Sequence, residues 1–130
     1  MNAPILGNSV TEDDLCKFIA QSMGSVWTLE LLILLKRDAA HSWDEQKMVR
    51  ELRSSSAVVR DAVHRLTNAG LIQRTADGLF HYQAASPKLD LLVTEIAELY
   101  ATKPMMVIKA VADARSDKLR AFSDAFKLKD

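Results

Sequence analysis

The chain reads as mostly helical with a small β element, an α+β class, and three observations predict this. Apolar residues recur three and four apart along most of the sequence, the period of a helix with one buried side. Nearly every such stretch opens on a hydroxyl or carboxylate able to cap its first turn. One segment, 71–83, alternates instead and is interrupted by Asp77–Gly78, the signature of a two-stranded hairpin. With four glycines and three prolines among 130 residues, long irregular connections are not expected, and the length suits one domain with its own core.

Residues 1–10, with Asn, Pro and Gly, are expected to be a flexible lead-in. In "TEDD", Thr11 caps a helix with Asp14 three residues on, and Leu15, Phe18, Ile19 and Met23 follow at helical spacing. After Gly24–Ser25, "VWTLELLILLKRD" is apolar almost all round, as expected of a helix in the middle of a core. Lys36 and Arg37 fall in its last turn, where cations complement the helix dipole. "AAHSWDEQKMVRELR" restarts the chain, with Ser42 or Asp44 as cap and Met48, Val49 and Leu52 on the buried side.

Ser54 to Ser56 end that helix and cap the next, because a hydroxyl can accept from free first-turn amides. Val58, Val59, Ala62, Leu66 and Ala69 then share one face, and Gly70 stops the helix where left-handed backbone is cheapest. Beyond the hairpin, Ser86 caps and Pro87 starts a helix striped by Leu89, Leu92, Val93, Ile96, Leu99 and Tyr100. Pro104 breaks it. "MMVIKAVADAR" makes another helix, and Ser116 opens a last one through Leu119, Phe122 and Phe126.

The longest apolar run, around Leu29–Leu35, is far short of the ~20 residues of a membrane span. The N-terminus lacks the basic start and apolar stretch of a secretion signal. A single cysteine, Cys16, excludes an internal disulfide and suits a reducing compartment. The expectation is a soluble cytoplasmic protein with no membrane partner. His41, His64 and His81 stand apart with no metal-ligand spacing, no phosphate loop or nucleophile elbow occurs, and Glu95 and Glu98 read as a solvated face. Trp27, Trp43 and Phe80 read as core or hinge packing, and Cys16 as a buried structural thiol. Neither an enzyme nor a cofactor is expected.

The order of elements over residues 25–83 resembles the winged-helix version of the helix-turn-helix. The phrase "VVRDAVHRLTNAGLIQR" is similar to the passage from recognition helix into wing in MarR-like and ArsR-like bacterial repressors, where helix packing, glycine cap and strand entry must coincide. The resemblance implies a short strand at Trp43, a turn at "RSSS", a recognition helix "SAVVRDAVHRLTNAGL" and a wing "IQRTADGLFHYQ". It implies a winged-helix domain over 11–85 and additional C-terminal helices over 86–130.

On that reading the helix face opposite the valines, with Arg60, His64, Thr67 and Asn68 and with Arg65 at its flank, enters the major groove of double-stranded DNA, where Arg suits guanine and Asn suits adenine edges. Ser54, Ser55 and Ser56 would hold a phosphate at the helix start. Gln46, Lys47 and Arg50 would meet the backbone, and Arg74 and His81 a neighbouring groove or phosphate. Such a reader needs two helices about one DNA turn apart, so the stripe Leu89, Leu92, Val93, Ile96, Leu99 and Tyr100 is expected to support a homodimer. The basic footprint is thin. Net charge is zero, residues 54–83 carry Arg60, Arg65 and Arg74 against Asp61 and Asp77, and residues 1–40 are net negative. The function expected is a sequence-specific transcription regulator; the alternative is a winged-helix module that docks a protein partner without binding DNA.

Overall fold

The computed structural model describes residues 10–114. The predicted tail helix from Ser116 lies outside the described residues. Helices α1 (Glu12–Ser22), α2 (Val26–Arg37), α3 (Glu45–Leu52) and α4 (Ser56–Asn68) precede strands β1 (Ile72–Arg74) and β2 (Phe80–Tyr82), and α5 (Pro87–Thr102) follows. Residues 104–114 are also helical. The class is mostly α with one two-stranded antiparallel sheet.

Each boundary has a local cause. Thr11 and Asp14 bond reciprocally, side chain to backbone, at 3.0 and 3.3 Å, which satisfies two orphan amides of α1. The chain turns by 107° between α1 and α2 at Gly24, whose φ is +71°. Ser25 then caps α2. Asp44, rather than Ser42, caps α3: its carboxylate accepts from the Lys47 amide at 2.7 Å. Ser55 caps α4 by accepting from the Val58 amide at 3.2 Å. At the far end Leu71 donates to the Leu66 carbonyl at 3.0 Å and Gly70 to Thr67 at 3.1 Å, a complete Schellman closure around a left-handed Gly70. Ser86 caps α5 with Pro87 in its first turn, and Lys103 ends it just before Pro104.

β1 and β2 pair Ile72 with Tyr82, Gln73 with His81 and Arg74 with Phe80. The loop has three residues between Thr75 and Leu79, with Gly78 at φ +83° supplying the left-handed step. Trp43 forms a further bridge on the other side of β2, exchanging bonds of 2.8 and 2.9 Å with Phe80. This fixes the entry of α3 to the hairpin.

α2 is the centre of the core. Leu29, Leu31, Leu32 and Leu35 are wholly buried, against Leu15, Ile19 and Met23 of α1 and its C-cap, Met48 of α3, Val59, Ala62 and Leu66 of α4, and Leu71 and Ile72. Each such aliphatic side chain contributes roughly 1.5–3 kcal/mol on burial. Val93, Ile96 and Leu99 of α5, with Val107 and Val111, join the same core, and Leu89, Leu92 and Tyr100 pack half-buried against it. The six residues expected at a dimer contact are thus occupied, wholly or in part, inside one chain. Lys36 and Tyr82 hold Asp90, Glu30 holds Tyr100, and Glu12 holds Lys103, so α5 is tied to α2, β2 and α1.

Two expectations need correction. Trp27 is not core packing: it stands 41% exposed in the first turn of α2, on the side of the helix that carries the half-buried Glu30 and Leu34, while its neighbours Thr28 and Leu29 are the ones turned into the core. On α4, Val58 and Ala69 are only half-buried, and Val63 is half-buried as well, because the helix packs on both α2 and α3 and so needs a wider apolar arc. No single helix among the described residues is long and apolar enough to cross a membrane.

Candidate nucleic-acid interface

α4 lies with Val59, Ala62 and Leu66 against the core and its other side outward. Arg60, Asp61, His64, Thr67 and Asn68 are exposed. Between this helix, α3 and the hairpin runs an open groove of about 340 Å³. Met48, Val59, Val63 and Phe80 supply its apolar lining, while Arg60, His64, Thr67, Asn68, Arg74 and Glu45 supply the polar groups. The fold thus brings five of the thirteen candidate contacts, four from α4 and one from β1, around one depression.

The remaining candidates lie elsewhere. Arg65 pairs with Asp61 at 3.0 Å one turn back on its own helix. Its guanidinium is laid so closely on Gly24 that a Cβ there would stand 2.4 Å from its Cζ. Arg65 therefore works at the α1–α2 turn. Lys47 donates to His41 Nε2 at 2.6 Å and sits 5.1 Å above the Trp43 ring, which holds it beside the start of α3. Gln46 and Arg50 are exposed on α3, outside the groove lining. His81 is half-buried, with Nε2 2.9 Å from Gln83 Oε1 and Nδ1 buried without a partner.

The three serines differ in the same way. Ser55 Oγ is engaged by its own helix, Ser54 Oγ is buried and unpartnered, and Ser56 stands exposed beside the Glu45 carboxylate.

Electrostatics in the groove centre on one ion pair. Arg60 Nε donates to Glu45 Oε1 at 2.8 Å and Nη2 to Oε2 at 3.2 Å. The bond from Arg60 holds the Glu45 carboxyl below the usual range, helped by the Arg60 charge and by Ser56 and opposed by partial desolvation. His64 and Asn68, one turn apart, share a hydrogen bond of 3.1 Å, so the two present a joined polar edge. Arg74 lies 6.0 Å from the Phe80 ring centroid, and among the described residues no carboxylate pairs with it.

Glu45 was invisible as a site residue in the sequence. It reads there as a capping-box partner of Ser42, and nothing local announces a bond to a residue fifteen positions later. Among the described residues no group of three His, Cys, Asp or Glu side chains is placed to hold a metal ion. Cys16 is half-buried, and burial, then Asp13 and Glu12, push its thiol up, away from the reactive thiolate. Compared with protein-family models, curated proteins and solved structures, the chain matches none.

Proposed function

We propose that this chain is a winged-helix, sequence-specific DNA-binding regulator that lays α4 in the major groove and the β1–β2 hairpin beside it. One observation carries the reading: Arg60, His64, Thr67 and Asn68 on α4 and Arg74 on β1 surround a single open groove, with four of the five projecting from a helix anchored by its apolar side. A helix is ~10–12 Å across with its side chains and matches a major groove ~12 Å wide. The strand-like bridge at Trp43 supports the same assignment, because it sets the hairpin against the helix pair.

Arg60 and Arg74 are the base or phosphate contacts, Asn68 and His64 form a shared reading edge, and Arg50 and Lys47 track the backbone. So few cations give one copy modest affinity, and a homodimer doubles the phosphate contacts and with them the salt dependence. Leu91, Met105 and Met106 are the large apolar side chains of the C-terminal segment left exposed among the described residues, and they are the surface we assign to that pairing.

The test is retention of genomic fragments by the purified protein, set against an Arg60→Ala, Asn68→Ala double variant. Both side chains are exposed, so the variant keeps the fold and its thermal transition while selective retention is lost. A wild-type protein that retains no fragment even at low salt defeats the proposal. The second reading is then favoured, a module that docks a protein on the same groove. Its specific support is the apolar lining Met48, Val59, Val63 and Phe80, beside a cation already neutralised by Glu45.

A further inference from the structure

The Arg60–Glu45 pair lines the groove of the proposed reading face, yet a carboxylate there is unfavourable near phosphates and its presence asks for a reason. The geometry supplies one. A guanidinium has five N–H donors distributed over two usable edges: a side edge formed by Nε and one terminal nitrogen, and an end edge formed by the two terminal nitrogens. Glu45 takes the side edge, through Nε at 2.8 Å and Nη2 at 3.2 Å. The end edge, with one N–H from Nη1 and the second N–H of Nη2, is left free. That is the edge able to place two parallel donors on O6 and N7 of guanine.

The burial of the two partners differs in the sense required. The Glu45 side chain is 35% exposed, set at the first residue of α3 behind its cap Asp44, whereas the Arg60 side chain is 72% exposed. The anchor is seated and the reading head stands in solvent. A free arginine loses much rotamer freedom on docking; one clamped through a planar fork has lost part of it in the unbound protein.

We infer that Glu45 is a positioning residue that presents Arg60 to a guanine, and so sets the sequence preference of the site. The inference rests on the DNA-binding reading above and goes beyond it by naming the base and the residue that orients its reader. Glu45 acts through Arg60 and does not touch the duplex. Its charge also repels phosphate, so it trades general affinity for discrimination.

These two consequences have opposite signs, which separates a positioning role from a structural one. The experiment selects duplexes from a randomised pool with the full chain as wild type, Glu45→Ala, Glu45→Gln and Arg60→Ala, followed by affinity for the selected duplex and for its guanine-substituted versions. Wild type is expected to select a guanine whose preference disappears in Arg60→Ala. Glu45→Ala should bind unselected duplex as tightly as wild type or more tightly, while its preference for that guanine falls about tenfold, within the range of one bidentate base contact. Glu45→Gln keeps one acceptor for Nε and should recover part of the preference.

A guanine preference that depends on Arg60 and is unchanged in both Glu45 variants overturns the inference and leaves the DNA-binding reading standing. A parallel loss of specific and non-specific binding in Glu45→Ala also overturns it, since that marks a structural role. A wild type that selects no sequence overturns the DNA-binding reading and the inference with it.

Discussion

Gly70 shows how much one residue decides at the junction between helix and hairpin. Its φ of +76° lies in the left-handed region, where an L side chain brings Cβ against the backbone. A Cβ at Gly70 would also stand 3.3 Å from the Ala85 Cβ, in the segment that leads into α5. Both amides of the Schellman closure and the Ala85 amide bond to the Gly70 carbonyl at 2.8 Å depend on this conformation. Gly70→Ala is therefore expected to cost about 1–2 kcal/mol, the penalty of a left-handed non-glycine residue. Urea unfolding would read this as a lower midpoint with an unchanged slope. A midpoint equal to wild type would mean that the turn relaxes freely and that the strand entry does not require glycine.

At the scale of elements, α4 serves two masters, a core on one side and an exposed polar face on the other, and only the first sets stability. Leu66 is wholly buried and its carbonyl also closes the helix end. Leu66→Ala should cost about 3 kcal/mol by lost transfer energy and a residual cavity, visible as a large drop in thermal midpoint. The Arg60, Asn68 double variant should leave that midpoint in place. The caps at Thr11, Ser55 and Ser86, the glycine stop at Gly70 and the hairpin around Gly78 were legible in the sequence because each is a bond or dihedral within a few residues. The bridge at Trp43 was reachable only through the resemblance. What was not legible depends on packing between distant segments. Arg65 is drawn onto Gly24 because the α1–α2 turn passes under α4, and no spacing rule encodes that. Arg60 finds Glu45 because α3 and α4 cross, and Trp27 misses the core because it lies on the side of α2 away from the buried Thr28 and Leu29. Four of the groove's polar residues were legible as one helical face; the apolar lining from Met48, Val63 and Phe80 was not.

At the scale of the whole molecule, Asp90 is where hairpin, central helix and C-terminal helix meet. Tyr82 of β2 donates its hydroxyl to Asp90 Oδ1 at 2.6 Å, Lys36 of α2 reaches the same oxygen at 3.1 Å, and the Lys36 ammonium also lies 4.7 Å over the Tyr82 ring. The Tyr82 bond, then the Lys36 bond, lower the Asp90 carboxyl below its ordinary value of 3.8, against a smaller desolvation effect. A depressed acid stabilises the fold above the unfolded-state value and loses that contribution as pH falls through about 4 toward the folded-state value. Burial of the ring, then the bond and charge of Asp90, raise the Tyr82 hydroxyl above its ordinary value of 10.0. A raised phenol stabilises below the unfolded-state value and loses its contribution as pH rises past it. The bond from Tyr100 to Glu30 pushes the Tyr100 hydroxyl up to about 12 and adds to the same alkaline limb. Thermal midpoints measured across pH should therefore form a plateau with an acid fall below about pH 4 and an alkaline fall above about pH 10. Asp90→Asn should lower stability on the plateau by about 1 kcal/mol, seen as a lower midpoint, since Asp90 is half exposed and its ion pair is screened, and should make the acid limb shallower. Tyr82→Phe should make the alkaline limb shallower while Tyr100 preserves part of it. If both variants kept the wild-type limbs and differed only in plateau height, the three-way contact would be a packing feature with no proton linkage, and the pH limits of the fold would have to arise elsewhere.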